Sequence, residues 1–352
     1  MNDETIKYLE ETIDASSDLF LLQGDVLVQR ANTTDLVGTT AVFDGPSGIY
    51  VYPDLMMRMR FRELATAHWF WRYASGADGR RYFMGIAAGS SGSMPKITGD
   101  NLRRMPLPVP PLAEQRAVAK ALADVDALLA GLDGLLAKKR DLKQAAMQQL
   151  LTGQTRLPGF RRKWAVKTLE EIAECLDDLR VPLNEAQRSR MRGDYPYCGA
   201  NGVLDYIDRY IIDDDIILMA EDGGYFDEYK TRPIAYRLKG KCWVNNHAHI
   251  LKAKLGFDQV FVYYSLVHKN ILPFLANGTR AKLNKSEMKK IEIETPGEES
   301  EQAAIANILS DMDAEIFALE ARREKTRLLK QAMMQELLTG KTRLVPTGEP
   351  DA

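Results

Sequence analysis

The chain has little cysteine, no long apolar run and no strong excess of either charge. Its three cysteines, Cys175, Cys198 and Cys242, are widely spaced among 352 residues, unlike a disulfide framework. We therefore expect reduced thiols. No apolar run is long enough to cross a bilayer, and no basic-then-apolar signal segment follows Met1. We expect a cytoplasmic protein with no membrane partner.

The net charge of −2 is not that of a nonspecific polyanion binder, because such binding scales with the number of phosphates neutralised. Any affinity for nucleic acid must come from local basic patches. Two are present, and each is equally well read as a solvated charged face. The first contains Arg156, Arg161, Arg162, Lys163 and Lys167, and the second contains Arg280, Lys282, Lys285, Lys289 and Lys290.

Two sequence motifs for nucleotide chemistry are missing. No Gly-x-x-x-x-Gly-Lys-Ser/Thr loop is present to cradle ATP phosphates, and no Asn-Pro-Pro-Tyr-type motif for base methylation is present. We therefore predict no catalytic residue, no metal ligand and no cofactor site in this chain.

The chain contains a long internal repeat. LKQAAMQQLLTGQTRL at 142–157 recurs as LKQAMMQELLTGKTRL at 329–344, with three differences in sixteen positions. At the same offset of 187 residues, matches upstream include Gln115 with Gln302 and Asp126 with Asp313. A weaker similarity relates LLQGDVLVQRA from Leu21 to YIIDDDIILMAED from Tyr210, both typical of a turn into a buried strand. The duplication therefore covers a domain and a helix together.

Both copies of the repeat predict long amphipathic helices. Apolar residues recur at spacings of three and four from Val118 to Leu136 and from Ile305 to Leu319. The first helix is expected from about residue 112 to 152, roughly 60 Å at 1.5 Å per residue. Each ends at Leu-Thr-Gly, where Gly153 and Gly340 can adopt the left-handed conformation.

The two apolar faces predict that the helices pack on each other, antiparallel, with the preceding domains at opposite ends. Such a protein presents two reading heads a fixed distance apart, which suits split DNA half-sites. Gly131 and Gly134, inside the first helix, are interpreted as points of close helix contact or of slight bending. The alternative is a coiled-coil spacer that joins two unrelated binding modules.

These segments resemble a known family. PLPVPPLAEQRAVAKALADVDALL from Pro106, LKQAAMQQLLTGQTRLPGF up to Phe160, and Trp164 are similar to the first conserved region of type I restriction-modification specificity subunits. The copy at 301–344 resembles the second conserved region of that family. The stretches before each copy resemble its variable target recognition domains, so the resemblance covers nearly the whole chain.

The resemblance implies a noncatalytic subunit that reads double-stranded DNA in two halves. It also implies that the conserved helices hold methyltransferase (modification) subunits and, through them, a restriction motor-nuclease subunit. S-adenosylmethionine, ATP and Mg are then cofactors of the partner subunits. Stoichiometry and the DNA sequence recognised do not follow from the sequence.

We expect a mixed α/β (α+β) fold, with two target recognition domains separated by two long antiparallel helices in an intramolecular coiled coil. The predicted boundaries are 1–110 for the first recognition domain, 111–153 for the first helix, 154–297 for the second domain, 298–345 for the second helix and 346–352 for a tail. About 50 residues separate Trp164 from Asp215, whereas 24 precede the matching Asp25. We therefore expect the first domain to be truncated at its N-terminus.

Candidate DNA contacts in the second domain lie in turns between apolar strands. Amides, guanidinium groups and imidazoles suit base edges, and free backbone N–H groups, hydroxyls and lysines suit phosphates. Alternatively, the asparagines among them form turns and the histidine lies in the core, which explains these residue types equally well. The candidates are Asn201, Tyr225, Asn245, Asn246, His247, Thr279, Arg280 and Lys282.

The first domain offers a shorter set of candidates. Arg30 and Asn32 follow a predicted buried strand, and a polar loop shortly before the first long helix parallels the loop at 277–284. Helix capping is the alternative role for that loop. The candidates are Arg30, Asn32, Ser91, Ser93 and Lys96.

Other chemistries remain possible from the residues. Asp222, Glu228 and Lys230 loosely resemble a metal-dependent nuclease, and Cys198, Cys242, His247 and His249 could be zinc ligands despite irregular spacing. A scaffold that lost DNA reading, or the specificity subunit of a related fused restriction-methylation enzyme, would keep the helices.

Overall fold

The computed structural model describes residues 6–10, 12–14, 17–87, 94–276 and 281–346. It is a mixed α/β structure whose residues divide into two compact units, residues 1–135 with 319–352 and residues 136–318. We call them the first and second units. Each unit contains part of both long helices, because the divisions fall within helices. Within the described residues, none of the helices is both long enough and apolar enough to span a membrane.

The first unit contains a three-stranded antiparallel sheet and three shorter helices. Its elements are β1 Val26–Gln29, β2 Thr40–Val42, β3 Met56–Met59, α1 Leu64–Ser75, α2 Ala77–Ile86 and α3 Gly99–Arg103. The first long helix, α4 Leu112–Leu151, follows. The sheet order is β2-β1-β3. Val26 and Val28 of β1 are fully buried, as the alternation of a strand with one buried face requires.

The second unit is larger. Its strands are β4 Ala165–Thr168, β5 Ala173–Cys175, β6 Arg192–Gly199, β7 Gly202–Ile207, β8 Ile212–Ala220, β9 Ala235–Val244, β10 Ala248–Ala253, β11 Leu275–Ala276, β12 Lys282–Leu283 and β13 Glu292–Thr295. Its shorter helices are α5 Leu169–Ile172, α6 Glu185–Arg190, α7 Gln259–Val267 and α8 Lys285–Met288, and the second long helix is α9 Glu299–Leu337.

A six-stranded sheet of order β5-β10-β8-β9-β6-β7 organises the second unit. β9 and β10 both run antiparallel to β8, with Cys242 opposite Ile212 and Ala248 opposite Ala220. Only three residues separate β9 from β10, although the end of β9 lies opposite the start of β8 and the start of β10 lies opposite its end. The sheet must therefore curl strongly, and Ile212, Ile216, Val244 and Ala248 share one buried cluster.

The predicted similarity between the two domains is present in their sheets. β1 is flanked by β2 and β3, and β8 is flanked by β9 and β10, the next two strands along the chain. α1 and α7 then follow as corresponding helices. Among its described residues, the first unit has no strands corresponding to β5, β6 and β7.

The helix predictions agree closely with the structure at the first repeat. α4 occupies Leu112–Leu151, and α9 ends at Leu337, earlier than predicted. Gly153 and Gly340 have φ of 67° and 73°, as expected for helix ends. The close contact expected at Gly131 and Gly134 is wrong, because a Cβ atom at either position would meet nothing within 4 Å.

Two buried glutamates at equivalent repeat positions anchor the helix starts. In the first unit, Glu114 accepts hydrogen bonds from the backbone N–H groups of Leu344 at 2.8 Å and Val345 at 2.7 Å. In the second unit, Glu301 accepts from the guanidinium of Arg156 at 2.7 Å and from the Trp164 indole at 3.3 Å. The same carboxylate position is thus satisfied by different donors.

Candidate functional site

Segments distant in sequence meet at the C-terminal end of β8 in the second unit. Asn201, in the turn between β6 and β7, donates through Nδ2 to the Gly223 carbonyl at 2.9 Å. The Nδ1 atom of His247 lies 2.6 Å from Asp222 Oδ1. Lys282 forms a β-bridge with Asp222. Three of the predicted candidates are therefore brought together around this strand end.

Two further candidates belong to the same region. Asn246 is exposed between β9 and β10, directly before His247. Tyr225 is 38% exposed, and the Arg232 guanidinium lies 3.8 Å from its ring centroid. An exposed aromatic face stacked on a guanidinium can contact a base or sugar. We call Asn201, Tyr225, Asn246, His247 and Lys282 the strand-end group.

Asn245 is buried, so the prediction that it contacts DNA is not supported by its position. It is 4% exposed, and its Oδ1 accepts a hydrogen bond from the His247 N–H at 2.8 Å. Its own N–H donates to the Cys198 carbonyl at 3.0 Å. Asn245 therefore holds the turn that carries Asn246 and His247, which is the turn-forming alternative.

A buried ionic network lies beneath the strand-end group. Glu221 is 8% exposed, and it forms ion pairs with Lys282 at 2.8 Å and with Arg180. Burial by itself raises the pKa of Glu221, but the hydrogen bonds from Lys282 and Arg180 outweigh it, so the pKa is lowered. The carboxylate therefore stays charged and fixes both cations.

His249 is the centre of this network. It is 1% exposed, with Nδ1 2.7 Å from Asp177 Oδ2 and Nε2 2.8 Å from the Leu283 carbonyl. Burial by itself lowers the pKa of His249, but the hydrogen bonds to Asp177, Cys175 and Leu283 outweigh it and raise the pKa to about 9. The ring is an imidazolium at neutral pH.

Sequence reasoning missed the roles of Asp177, Arg180 and Glu221. These residues are distant from one another in sequence, and no motif links them to His249. Cys175, Asp177 and His249 have possible ligand atoms within 4.8 Å of one another. They fit a metal poorly, because both His249 nitrogens already serve a carboxylate and a backbone carbonyl.

The rival chemistries gain no support from the geometry. His247 bonds Asp222 and His249 bonds Asp177, whereas Cys198 and Cys242 lie in the buried cluster inside the curled sheet. The four proposed zinc ligands therefore have separate surroundings. Glu228 pairs with Arg232 on a short 3-10 turn, while Asp222 pairs with His247.

About half of the residues in the predicted basic patches form ion pairs. Arg156 pairs with Glu301 and Lys167 with Glu171. In the second patch, Lys282 pairs with Glu221, Lys289 with Glu170 and Lys290 with Glu287. Among these residues, Lys282 is the one that also belongs to the strand-end group.

The first unit has a corresponding group at the end of β1. Ala31 forms a β-bridge with Lys96, as Asp222 does with Lys282. The Ile97 N–H donates to the Arg30 carbonyl at 2.9 Å. Asn32 is half-buried, and its Oδ1 accepts from the Thr33 N–H at 2.8 Å. Arg30, Asn32 and Lys96 are thus brought together, with Arg30 and Lys96 exposed.

Four predicted contacts lie outside the described residues. They are Ser91, Ser93, Thr279 and Arg280.

Each unit also contains a cleft lined by the repeat. The volumes are about 800 Å³ in the second unit and about 700 Å³ in the first. The lining includes seven pairs of identical residues at the offset of 187. They are Arg140, Lys143, Gln144, Met147, Gln148, Leu151 and Thr152 of the α4 copy, and Arg327, Lys330, Gln331, Met334, Gln335, Leu338 and Thr339 of the α9 copy.

An aspartate of one repeat copy and a lysine of the other form an ion pair in each unit. In the first unit, Asp126 binds Lys330 at 2.6 Å and the buried Arg72 of α1 at 2.8 Å. In the second unit, Asp313 binds Lys143 and accepts from the Tyr264 hydroxyl of α7 at 2.7 Å. We call these the Asp126 and Asp313 joints.

Comparison with known proteins shows which family the chain resembles. Residues 161–330 match the family described as type I restriction modification DNA specificity domain. This segment includes the whole six-stranded sheet and the strand-end group. This segment, just under half of the chain, is thus similar to the specificity domain of the family that the sequence resemblance indicated.

Two curated relatives carry the same description. A type I restriction enzyme specificity subunit of Haemophilus influenzae is 35% identical over 158 residues, which are 45% of this chain and 39% of that protein. The chain thus spans well under half the length of this relative. A specificity subunit of Methanocaldococcus jannaschii is 24% identical over 351 residues, covering 92% of this chain and 80% of that protein.

Solved structures share the fold. The S subunit of a type I restriction-modification system from M. genitalium matches with a TM-score of 0.63 and 14% identity, covering 92% of this chain and 85% of that one. A chain from a study of complex assembly in a type I system matches with a TM-score of 0.51 and 15% identity, covering 92% of this chain and 83% of that one.

Proposed function

We propose that this chain is the DNA sequence-specificity subunit of a type I restriction-modification complex and reads a bipartite target. Each unit supplies one half of the reading through the residues at the end of its central strand. The observation that carries the proposal is the recurrence of this arrangement: polar candidates gather at the end of β1 and of β8, each beside the same type of β-bridge.

The proposal assigns base reading to exposed amides and guanidinium groups, and phosphate contact to lysines. Asn246 and Arg30 are the leading base-reading candidates, because asparagine pairs bidentately with adenine and arginine with guanine. Lys96 and Lys282 are suited to phosphates, which fix register. Ser91, Ser93, Thr279 and Arg280 remain predicted contacts in the same segments.

We further propose that α4 and α9 form an antiparallel intramolecular coiled coil that docks the partner subunits. The Asp126 and Asp313 joints support this pairing, because each joins an early residue of one helix to a late residue of the other. The two clefts share seven pairs of identical lining residues from the repeat, which supports the docking of equivalent methyltransferase subunits. Through these subunits the restriction motor-nuclease joins the complex.

In this proposal the chain itself performs no bond-making chemistry. S-adenosylmethionine, ATP and Mg are used by the partner subunits, and the complex acts on cellular DNA in the cytoplasm. The chain itself binds the DNA target and holds the partner subunits in position.

The experiment is to sequence methylated sites in cells that express the chain with its methyltransferase and restriction partners. A two-part methylated motif is expected. Methylation at a single uninterrupted half-site would assign reading to one unit alone, and absence of any sequence preference would contradict the proposal.

A scaffold without DNA reading is the second candidate. It is favoured by the smaller main sheet of the first unit. Among the described residues this sheet has three strands, whereas the main sheet of the second unit has six. Gel-shift titration of the chain with its methyltransferase partner separates the two functions. A reader retards duplexes that carry the target more strongly than matched scrambled duplexes, whereas a scaffold treats both alike.

A further inference from the structure

We propose that His249 is a positioning residue for DNA reading, which holds β12 and the 177–179 turn against β10 and so fixes the strand-end group. This role rests on the proposed function of the second unit. It concerns a side chain that is buried and cannot itself touch DNA.

The hydrogen bonds of His249 determine its protonation. A carbonyl oxygen can only accept, so Nε2 must carry a proton toward Leu283. Asp177 is a carboxylate whose other oxygen accepts from the Ile250 N–H at 3.0 Å. Nδ1 therefore donates to Asp177 as well. A neutral imidazole has one N–H and cannot make both bonds.

The segment held by His249 carries Lys282. β12 is only two residues long, and its pairing partner β11 is equally short. Its further attachments are the Leu283 N–H to the Glu221 carbonyl at 2.7 Å and the Lys282–Glu221 ion pair. Together with the fully buried Leu283 side chain, the His249 bond to the Leu283 carbonyl therefore helps to hold this strand to the main sheet.

The Nδ1 side of the His249 ring acts on the Asn246–His247 turn indirectly, because this turn leads directly into β10. Asp177 binds both His249 and the backbone of Ile250, so it fixes the first residues of β10. Arg180, from the same turn, pairs with Asp177 and Glu221. Loss of the His249 charge thus loosens both segments that present candidate contacts.

Charged and titratable groups surround His249 from several elements. Asp177 and Arg180 come from the 177–179 turn and its end, Glu221 follows β8 with an oxygen 3.8 Å from Nδ1, Cys175 lies on β5, and Lys282 lies on β12. Since the pKa of His249 is raised to about 9, the contribution of its charge is complete below 6.5 and is lost as pH rises through about 9.

The test compares H249Q with H68Q in the full chain. His68 is half-buried on α1 of the first unit, edge-on to Trp71, and lines neither cleft. Amide hydrogen exchange is measured on the chain alone. H249Q is expected to speed exchange at Leu283 by about tenfold, whereas H68Q leaves it unchanged.

The second measurement is DNA specificity of each variant assembled with the methyltransferase partner. The ratio of affinities for the methylation-defined target and a scrambled duplex is expected to fall about five- to tenfold in H249Q and to stay unchanged in H68Q. In the wild-type assembly, the same ratio is expected to fall as pH passes about 9, with D177N showing no such step.

The outcomes separate this role from the proposed function. Unchanged exchange at Leu283 in H249Q overturns the positioning role whether or not DNA binds. Faster exchange with an unchanged affinity ratio also overturns it. If the wild-type assembly does not distinguish the two duplexes, the proposed function falls and the DNA role of His249 falls with it, while the exchange result still measures the contact.

Discussion

Adjacent asparagines in the turn after β9 have opposite environments. Asn245 is buried and bonds the His247 N–H, whereas Asn246 is exposed beside it. The sequence Val-Asn-Asn-His contains no feature that separates the two, because either amide could cap the turn. Prediction could therefore place a candidate contact in this turn without deciding which side chain faces outward.

We predict that Asn246→Ala weakens or relaxes specific DNA binding by about 1 to 3 kcal/mol, because it removes the exposed amide that we propose to contact a base. Unfolding temperature should be unaffected. The measurement is the affinity of the assembled complex for its target and for single-base variants. Unchanged affinity and specificity would remove Asn246 from the reading residues.

Asn245→Ala is the matched control. It removes a buried acceptor and leaves the His247 N–H without its partner, which should cost about 1 to 3 kcal/mol of folding stability. Denaturant unfolding of the chain alone measures this cost. A stability loss in both variants, or in neither, would contradict the distinction between the two positions.

Acid should destabilise the second unit through Asp177. Burial by itself raises the pKa of Asp177, but hydrogen bonds from His249 and Ile250 outweigh it and lower the pKa from 3.8 to about 2. Its contribution is present above about 3.8 and is lost as pH falls through about 2.

Unfolding free energy measured between pH 5 and pH 2 is therefore expected to fall less steeply in D177N than in the wild type. E174Q is a suitable comparison, because Glu174 is an exposed carboxylate on β5 of the same unit. Parallel profiles for wild type and D177N would show that the buried pair does not link stability to protonation.

At the scale of elements, periodicity predicted the long helices well and the sheet poorly. The apolar spacing and the Leu-Thr-Gly ends are local signals, so α4 was predicted to within a residue of its end. The curl of β8 and its neighbours depends on pairings between distant segments, such as β5 with β10. No local pattern encodes those partners.

Gly131→Ala and Gly134→Ala should each stabilise the protein by about 1 kcal/mol. Both glycines are inside α4, where a Cβ atom would meet nothing within 4 Å. Chemical denaturation of the full chain measures the effect.

Gly38→Ala is a control with the opposite expected effect on stability. Gly38 has φ of 73°, and an added Cβ would lie 2.3 Å from Phe83. It should destabilise the chain. A loss of stability on adding alanine at position 131 or 134 would indicate that bending, the remaining interpretation of these glycines, is required.

The two aspartate joints should differ in energy. Asp126→Ala removes the carboxylate from Arg72, which is 5% exposed and has a buried Nε without a hydrogen-bond partner. Leaving that charge buried should cost about 3 to 5 kcal/mol. Asp313→Ala removes the acceptor of the neutral Tyr264 hydroxyl and should cost about 1 to 3 kcal/mol.

Equilibrium unfolding of both variants tests the difference. The double variant R72M/D126A should recover much of the loss, because it removes the unpaired charge. Equal losses in D126A and D313A would show that Arg72 finds solvent when its partner is removed.

At the scale of the whole molecule, the repeat predicted a duplicated protein, and the two sheets share the arrangement of their central strands. The compact units, however, divide within α4 and α9 rather than at helix ends. The sequence marks where a helix stops through glycine and proline, but it contains no signal for which stretch of a continuous helix packs with which core.

We predict that substitutions in the two units alter different halves of the target. Arg30→Ala should relax the methylated motif in one half, and Asn246→Ala should relax it in the other, because Arg30 follows β1 of the first unit and Asn246 lies in the β9–β10 turn of the second. Methylated-site sequencing in cells expressing each variant provides the measurement. Relaxation of the same half by both variants would contradict reading by two separate heads.

The two helix-anchoring glutamates impose different limits on sequence variation. Glu114 is bound by the main-chain N–H groups of residues 344 and 345. Any residue except proline can supply these groups, so the side chains at both positions can vary. Glu301 depends on the guanidinium of Arg156, which lysine cannot replace in its bidentate geometry. Inherited changes should therefore accumulate at 344 and 345 while position 156 stays arginine.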